Sequence, residues 1–120
     1  MRKKKRGKPD EWAFKNLNMT KAKYKLGDLE FDTKSDITDY YKSMLNTYEK
    51  KKPLNIEDAT KIYWLLREHP SVDIKMAKPI VSIYVDTAMH NTRCFYLIYN
   101  DGTKDDFSYT QCIKNIKKNV

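Results

Sequence analysis

The stretch from Ile80 to Tyr109 constrains the fold more than any other part of the chain. It reads "IVSIYVD", then "RCFYLIY" and "TKDDFSY", with Asn100-Asp101-Gly102 between the last two. β-Branched and aromatic residues suit a pleated, half-buried surface, and a glycine free to take positive φ lets the chain reverse within two or three residues. Three antiparallel strands are therefore predicted, the last two forming a hairpin. If Gly102 makes a one-residue bulge, Tyr99 pairs with Thr103 and Phe95 with Phe107. Phe95, Leu97 and Phe107 then share one face, and Cys94, Tyr96, Asp106 and Ser108 the other. A two-residue turn moves the pairing by one and regroups both faces.

Upstream, the periodicity is helical. Ile37, Tyr40, Tyr41, Met44, Leu45 and Tyr48 recur at helix spacing behind Ser35 or Asp36 as cap, with Lys50, Lys51 and Lys52 suited to the negative helix end and Pro53 as the stop. A second helix starts at Asn55 and presents Ala59, Ile62, Tyr63, Leu65 and Leu66 before Pro70. "YKLGDLEF", Tyr24 to Phe31, has strand character interrupted at Gly27, which implies a bend, a bulge or an edge position. "DEWAFKNL" offers one short helical turn with Asp10 as cap, and "CIKNIKKNV" a C-terminal turn with a basic rim. The expected fold is α+β: an antiparallel sheet of three or four strands with two helices packed on one face.

The chain's 120 residues suit one domain, large enough for a core without staples. Its net charge of +8 is unevenly placed: six of the 24 basic residues lie in residues 1–8 and three in 114–120, leaving 15 against 16 acids between. The chain thus divides into a basic arm (1–9), a linker or short helix (10–23), a near-neutral body (24–113) and a basic tail (114–120). Clustered like charges resist burial and mark a segment that meets a polyanion. Arg2, Lys3, Lys4, Lys5, Arg6 and Lys8 are accordingly candidate phosphate contacts, with Lys114, Lys117 and Lys118 in the tail. The arm has too little apolar surface to offset its own ordering and is expected to order on binding. Nine tyrosines and two tryptophans offer stacking surfaces where they are exposed.

Other chemistries find less support. Asp105 and Asp106 are adjacent, so on a strand they point to opposite faces and do not make an acid–base pair. His69, His90, Cys94 and Cys112 are the whole supply of soft ligands, and none stands at the spacing of a zinc pair, so no metal is expected. Three glycines supply no phosphate-binding loop, so no nucleotide cofactor is expected either. Two cysteines make no disulfide framework, and both are expected reduced. No apolar core follows the basic start, and the longest apolar run, Cys94 to Tyr99, is far short of the ~18 residues of a membrane span. An intracellular protein is expected.

A family resemblance rests on an ordered series of short motifs. These are His69-Pro70 at the end of a leucine-rich helix, Asp73 and Lys75, Arg93-Cys94-Phe95, Asp101-Gly102, Asp106-Phe107-Ser108-Tyr109 and Cys112. In this order, over residues 24–113, they resemble the DCL family, named for a plant "defective chloroplasts and leaves" protein. Where that family commonly carries Gly, this chain has Ala77-Lys78-Pro79. The resemblance implies ribosomal-RNA processing in plant plastids and a domain at the tail of a plant RNA polymerase subunit, with small bacterial and phage members as well. It supplies no catalytic residues, and the basic arm lies outside it.

The reading is a non-catalytic, RNA-associated module, RNA favoured over DNA, linked to ribosomal RNA or transcription. Arg93 is the body residue selected for partner contact, against an ion pair with an acid across the hairpin. The alternative is a small adaptor binding host transcription or translation proteins, which the glycine-poor, Lys/Asn/Tyr-rich composition of a viral or phage protein suits. A third reading is a Mg²⁺ nuclease using Asp86, Asp105 or Asp106.

Overall fold

The computed structural model describes residues 23–118. The expectations for the basic arm, for the turn at "DEWAFKNL" and for the last two residues lie outside them. The elements run β1 (Tyr24–Leu26), β2 (Leu29–Phe31), α1 (Lys34–Thr47), α2 (Ile56–Leu66), α3 (Val72–Lys75), β3 (Ile80–Thr87), β4 (Arg93–Tyr99), β5 (Lys104–Phe107) and α4 (Tyr109–Asn115).

β3, β4 and β5 form an antiparallel sheet with β4 in the middle. Gly102, at φ +85°, makes the bulged turn, its N–H bonding to Tyr99 O, and Phe95 stands opposite Phe107. The bulge register therefore holds. Ile83, Val85, Phe95, Leu97 and Phe107 face inward and are buried, meeting Ile37, Tyr41 and Leu45 of α1, Ile62, Leu65 and Leu66 of α2, and Cys112 and Ile113 of α4 in one core. Ile116 also belongs to that core, so Lys114 stands on a packed element.

Several local expectations are corrected. Tyr24–Phe31 is two strands closed by Gly27, and the pair forms its own two-stranded sheet. Gly27 has φ +57°, and a Cβ there would lie 2.1 Å from the Trp64 ring, so the turn rests directly on the indole. α1 is capped by Thr33, whose Oγ1 accepts from Asp36 N at 3.0 Å; Asp36 sits within the first turn, where its charge meets the helix dipole. α1 also ends at Thr47, before the three lysines. The chain from Lys51 to Leu54 runs beside β3 instead, through Lys51 N–H to Val85 O and Leu54 N–H to Ile83 O. The Asn55 cap on α2 is as expected, accepting from Asp58 N at 2.8 Å.

Candidate nucleic-acid interface

Because the helices cover one face of the sheet, strand alternation turns the other outward. Ser82, Tyr84 and Asp86 of β3, Cys94, Tyr96 and Ile98 of β4, and Lys104 and Asp106 of β5 lie on this open face, none of them buried. Tyr84 and Tyr96 are cross-strand neighbours with ring centroids 5.8 Å apart, and Lys104 Nζ sits 5.4 Å from the Tyr96 ring centroid. Tyr96 OH donates to Thr87 O at 3.3 Å, which fixes its ring. Two aromatic rings and an ammonium group thus share the open face, with the ammonium over the Tyr96 ring as a cation–π pair that a base stacking there displaces. Sequence reasoning placed Tyr96 on this face but missed Tyr84, although the alternation Ser82, Tyr84, Asp86 carries the signal.

At one end of the face, a polar groove of about 570 Å³ gathers several of the residues that carry the family resemblance. His69, Lys75, Arg93, Cys94, Asp106, Ser108 and Tyr109 all line it. Their polar atoms are largely committed to the protein itself. His69 Nδ1 accepts from Ser71 N at 2.9 Å, which places the proton of the neutral ring on Nε2. Lys75 Nζ donates to Asp105 Oδ2 at 2.9 Å and to Asp106 O at 2.7 Å, tying α3 to β5. Ser108 caps α4 by accepting from Gln111 N.

Arg93 is held in the same way. Its Nε donates to Leu45 O at 3.0 Å and its Nη2 to Tyr48 O, so the guanidinium closes the C-terminal end of α1. It fills the role that the sequence suggested for Lys50–Lys52, and it pairs with backbone carbonyls and not with an acid across the hairpin. Lys114, Lys117 and Lys118 are exposed, and Lys34 Nζ donates to Lys114 O at 2.9 Å. Arg2, Lys3, Lys4, Lys5, Arg6 and Lys8 lie outside the described residues.

Two groups that line the polar groove, Cys94 and His69, are shifted toward their neutral forms, as is the buried Cys112 of α4. Burial, then the nearby Asp106 carboxylate, pushes the Cys94 thiol up to about 11; burial, then Glu68, pushes Cys112 up to about 12. Both cysteines are free. Burial, then Lys75, lowers His69. Near neutral pH the groove therefore presents a thiol and a neutral imidazole, not a thiolate–imidazolium pair. Asp105 and Asp106 point to opposite faces, one to Lys75 and the other to Cys94, whose Sγ is 3.7 Å from Asp106 Oδ2. Among the described residues, no three His, Cys, Asp or Glu side chains converge on a metal position. Among them, too, no helix is long and apolar enough to cross a membrane.

Comparison with known proteins places this geometry. A family model described as "Protein of unknown function (DUF3223)" matches residues 42–113. The chain is 31% identical over 94 residues to the protein EMBRYO DEFECTIVE 514 of Arabidopsis thaliana, covering 77% of this chain and 46% of that one. It is 32% identical over 73 residues to subunit 1 of Arabidopsis DNA-directed RNA polymerase V, covering 58% of this chain and 4% of the subunit. Subunit 1 of polymerase IV matches at 32% over 78 residues, covering 64% of this chain and 5% of the subunit. The chain thus spans under half the length of each of these relatives. A solution NMR structure of an uncharacterized protein from Rhodospirillum rubrum superposes with a TM-score of 0.70 at 29% identity, covering 78% of this chain and 91% of that one.

Proposed function

We propose, for a chain that belongs to the DUF3223 family of proteins of unknown function, a non-catalytic role in binding nucleic acid, RNA before DNA. The observation that carries this reading is the Tyr84–Tyr96 pair beside Lys104 on the open sheet face. Bases stack on the tyrosines in a sequence-tolerant way, while the six positive charges of residues 1–8 and Lys114, Lys117 and Lys118 hold phosphates. Asp86 and Asp106 on the same face repel phosphate at one end and so favour a path past Lys104. The likeness to two RNA polymerase subunits supports a place beside the transcription machinery inside the cell.

The test is binding of single-stranded RNA and DNA between ~50 and ~200 mM salt. If all six charges of residues 1–8 reach phosphates, they contribute a log–log salt slope of about −4, and the tail lysines up to about −2 more. Deleting residues 1–8 removes the first part and leaves the melting curve unchanged. Tyr84→Ala and Tyr96→Ala each weaken binding by about 1–3 kcal/mol at constant slope, because stacking releases no counterion. Binding indifferent to all of these changes overturns the reading and returns the adaptor. Mg²⁺-dependent RNA cleavage that Asp106→Ala abolishes overturns the non-catalytic part.

A further inference from the structure

The row of side chains that crosses the open face does not end at the two tyrosines. Tyr84 stands opposite Tyr96, and Tyr96 stands opposite Asp106 of β5. Residues paired across antiparallel strands point to one face, with Cβ atoms about 5 Å apart. Two aromatic rings and a carboxylate therefore follow one another across the sheet. Asp106 differs from the acids around it. Asp105 points to the opposite face and holds Lys75 at 2.9 Å. Asp86 lies in the next row, opposite Cys94, and its Oδ1 already accepts from Thr87 N at 2.7 Å. Asp106 is exposed, and among the described residues its carboxylate meets only the Cys94 thiol, at 3.7 Å. Lys75 reaches the main-chain oxygen of Asp106, not the carboxylate. Such a carboxylate repels phosphate but accepts N–H groups from a neutral edge.

Nucleobase edges differ in what they offer it. The Watson–Crick edge of guanine carries two adjacent donors, N1–H and the N2 amino group, which match the two oxygens of one carboxylate. Adenine and cytosine each set an amino group beside a bare acceptor nitrogen, and uracil sets its N–H between two carbonyls. At each of these an acceptor-only group meets a lone pair.

We infer that the row Tyr84–Tyr96–Asp106 is a guanine site: the base stacks on Tyr96, and its N1–H and N2 amino group donate to the two oxygens of Asp106. Lys104, displaced from the Tyr96 ring, is left for the phosphate. The inference rests on the nucleic-acid reading and adds to it a contact that reads the base.

Uridine octamers with one central substitution test the site, because a single guanosine cannot assemble into four-stranded structures. The wild-type chain should bind the guanosine octamer about tenfold tighter than the adenosine one, as a bidentate base contact does. Inosine, which lacks the N2 amino group, should fall between them. The ratio should hold from ~50 to ~200 mM salt, since contacts to a base edge release no counterions. Asp106→Asn replaces one acceptor oxygen with a donor and should abolish the preference. It should not weaken binding of the all-uridine octamer, because a negative charge leaves the face. Its melting curve should stay in place, since the side chain is exposed. Equal binding of the guanosine, inosine and adenosine octamers, with Tyr96→Ala still weakening all three, overturns the guanine site and leaves the nucleic-acid reading standing. A preference that survives in Asp106→Asn overturns the part assigned to Asp106. Failure to bind any octamer overturns the site and the nucleic-acid reading together.

Discussion

The polar groove, about 570 Å³, and an apolar groove of about 490 Å³ between α2 and β3 are of similar size, but charged side chains line only the first. The polar groove takes more than half of its lining from residues of the family resemblance, and four of these, His69, Lys75, Arg93 and Ser108, hold the molecule together. Arg93 closes α1, Lys75 ties α3 to β5, and Ser108 caps α4. The apolar groove contains none of them and leaves Ile56 and Val81 in water. A short motif can therefore mark a joint between elements, while the apolar groove carries none of the motif residues. The physical reason is that a buried carbonyl or helix end must find a donor of fixed geometry, which few residue types supply, whereas many apolar side chains fill a cleft equally well.

The strongest challenge to this contrast is Arg93→Ala. Removing two charge-assisted bonds from the end of α1 should cost about 3 kcal/mol in urea unfolding. Arg93→Lys should recover only part, since an ammonium cannot reproduce the planar fork. A stable Arg93→Ala protein that had lost nucleic-acid binding would move Arg93 from joint to interface.

The two turn glycines sharpen the comparison at smaller cost. Gly27→Ala meets both a positive φ and the Trp64 ring, and should destabilise by about 2–3 kcal/mol. Gly102→Ala has nothing within 4 Å and should lose only the conformational part, about 1 kcal/mol. Equal losses would mean that the hairpin does not rest on the indole.

A third prediction concerns pH. Burial and Lys75 depress His69 in the folded chain, so below the unfolded value of about 6.5 the unfolded chain takes up a proton that the folded one resists. Its contribution to stability is present above that value and is lost as pH falls from there through the lower folded value. Melting temperatures of the wild-type and His69→Gln proteins should converge between about pH 7.5 and 5. Parallel curves would place His69 outside the polar network.

The smallest effect is chemical. With its thiol raised to about 11, Cys94 should alkylate slowly near neutral pH and faster as pH rises toward that value, while the more deeply buried Cys112 should lag. Rapid labelling of Cys94 near neutral pH would turn the polar groove into a reactive site.

Alternation and turn chemistry make the hairpin legible in the sequence alone. Inward-facing Phe95, Leu97 and Phe107 and a positive-φ glycine admit few registers, and the one found is the bulged member of the two that the Asn100-Asp101-Gly102 turn allows. The Asn55 cap is equally legible, because Asn, Glu and Asp at a helix start act on neighbours one turn away. The pairing of Tyr84 with Tyr96 is not: alternation puts Tyr84 on the open face, but Tyr96 lies twelve residues on, across a connection whose register the sequence leaves open.

Local sequence therefore determined what local forces control: the period of each element, the turn at Gly102, the charge divided between the ends and the body. Tertiary structure decided what depends on distant partners. Lys50–Lys52 stood nearest the end of α1 in sequence, yet Arg93, 45 residues beyond Tyr48, closes it, because folding brings β4 across the helix end. Tyr24–Phe31 had the character of a strand, but with Trp64 beneath its centre only a tight glycine turn fits there, and one strand became two. Sequence distance limits what a side chain can reach in the unfolded chain, and packing removes that limit.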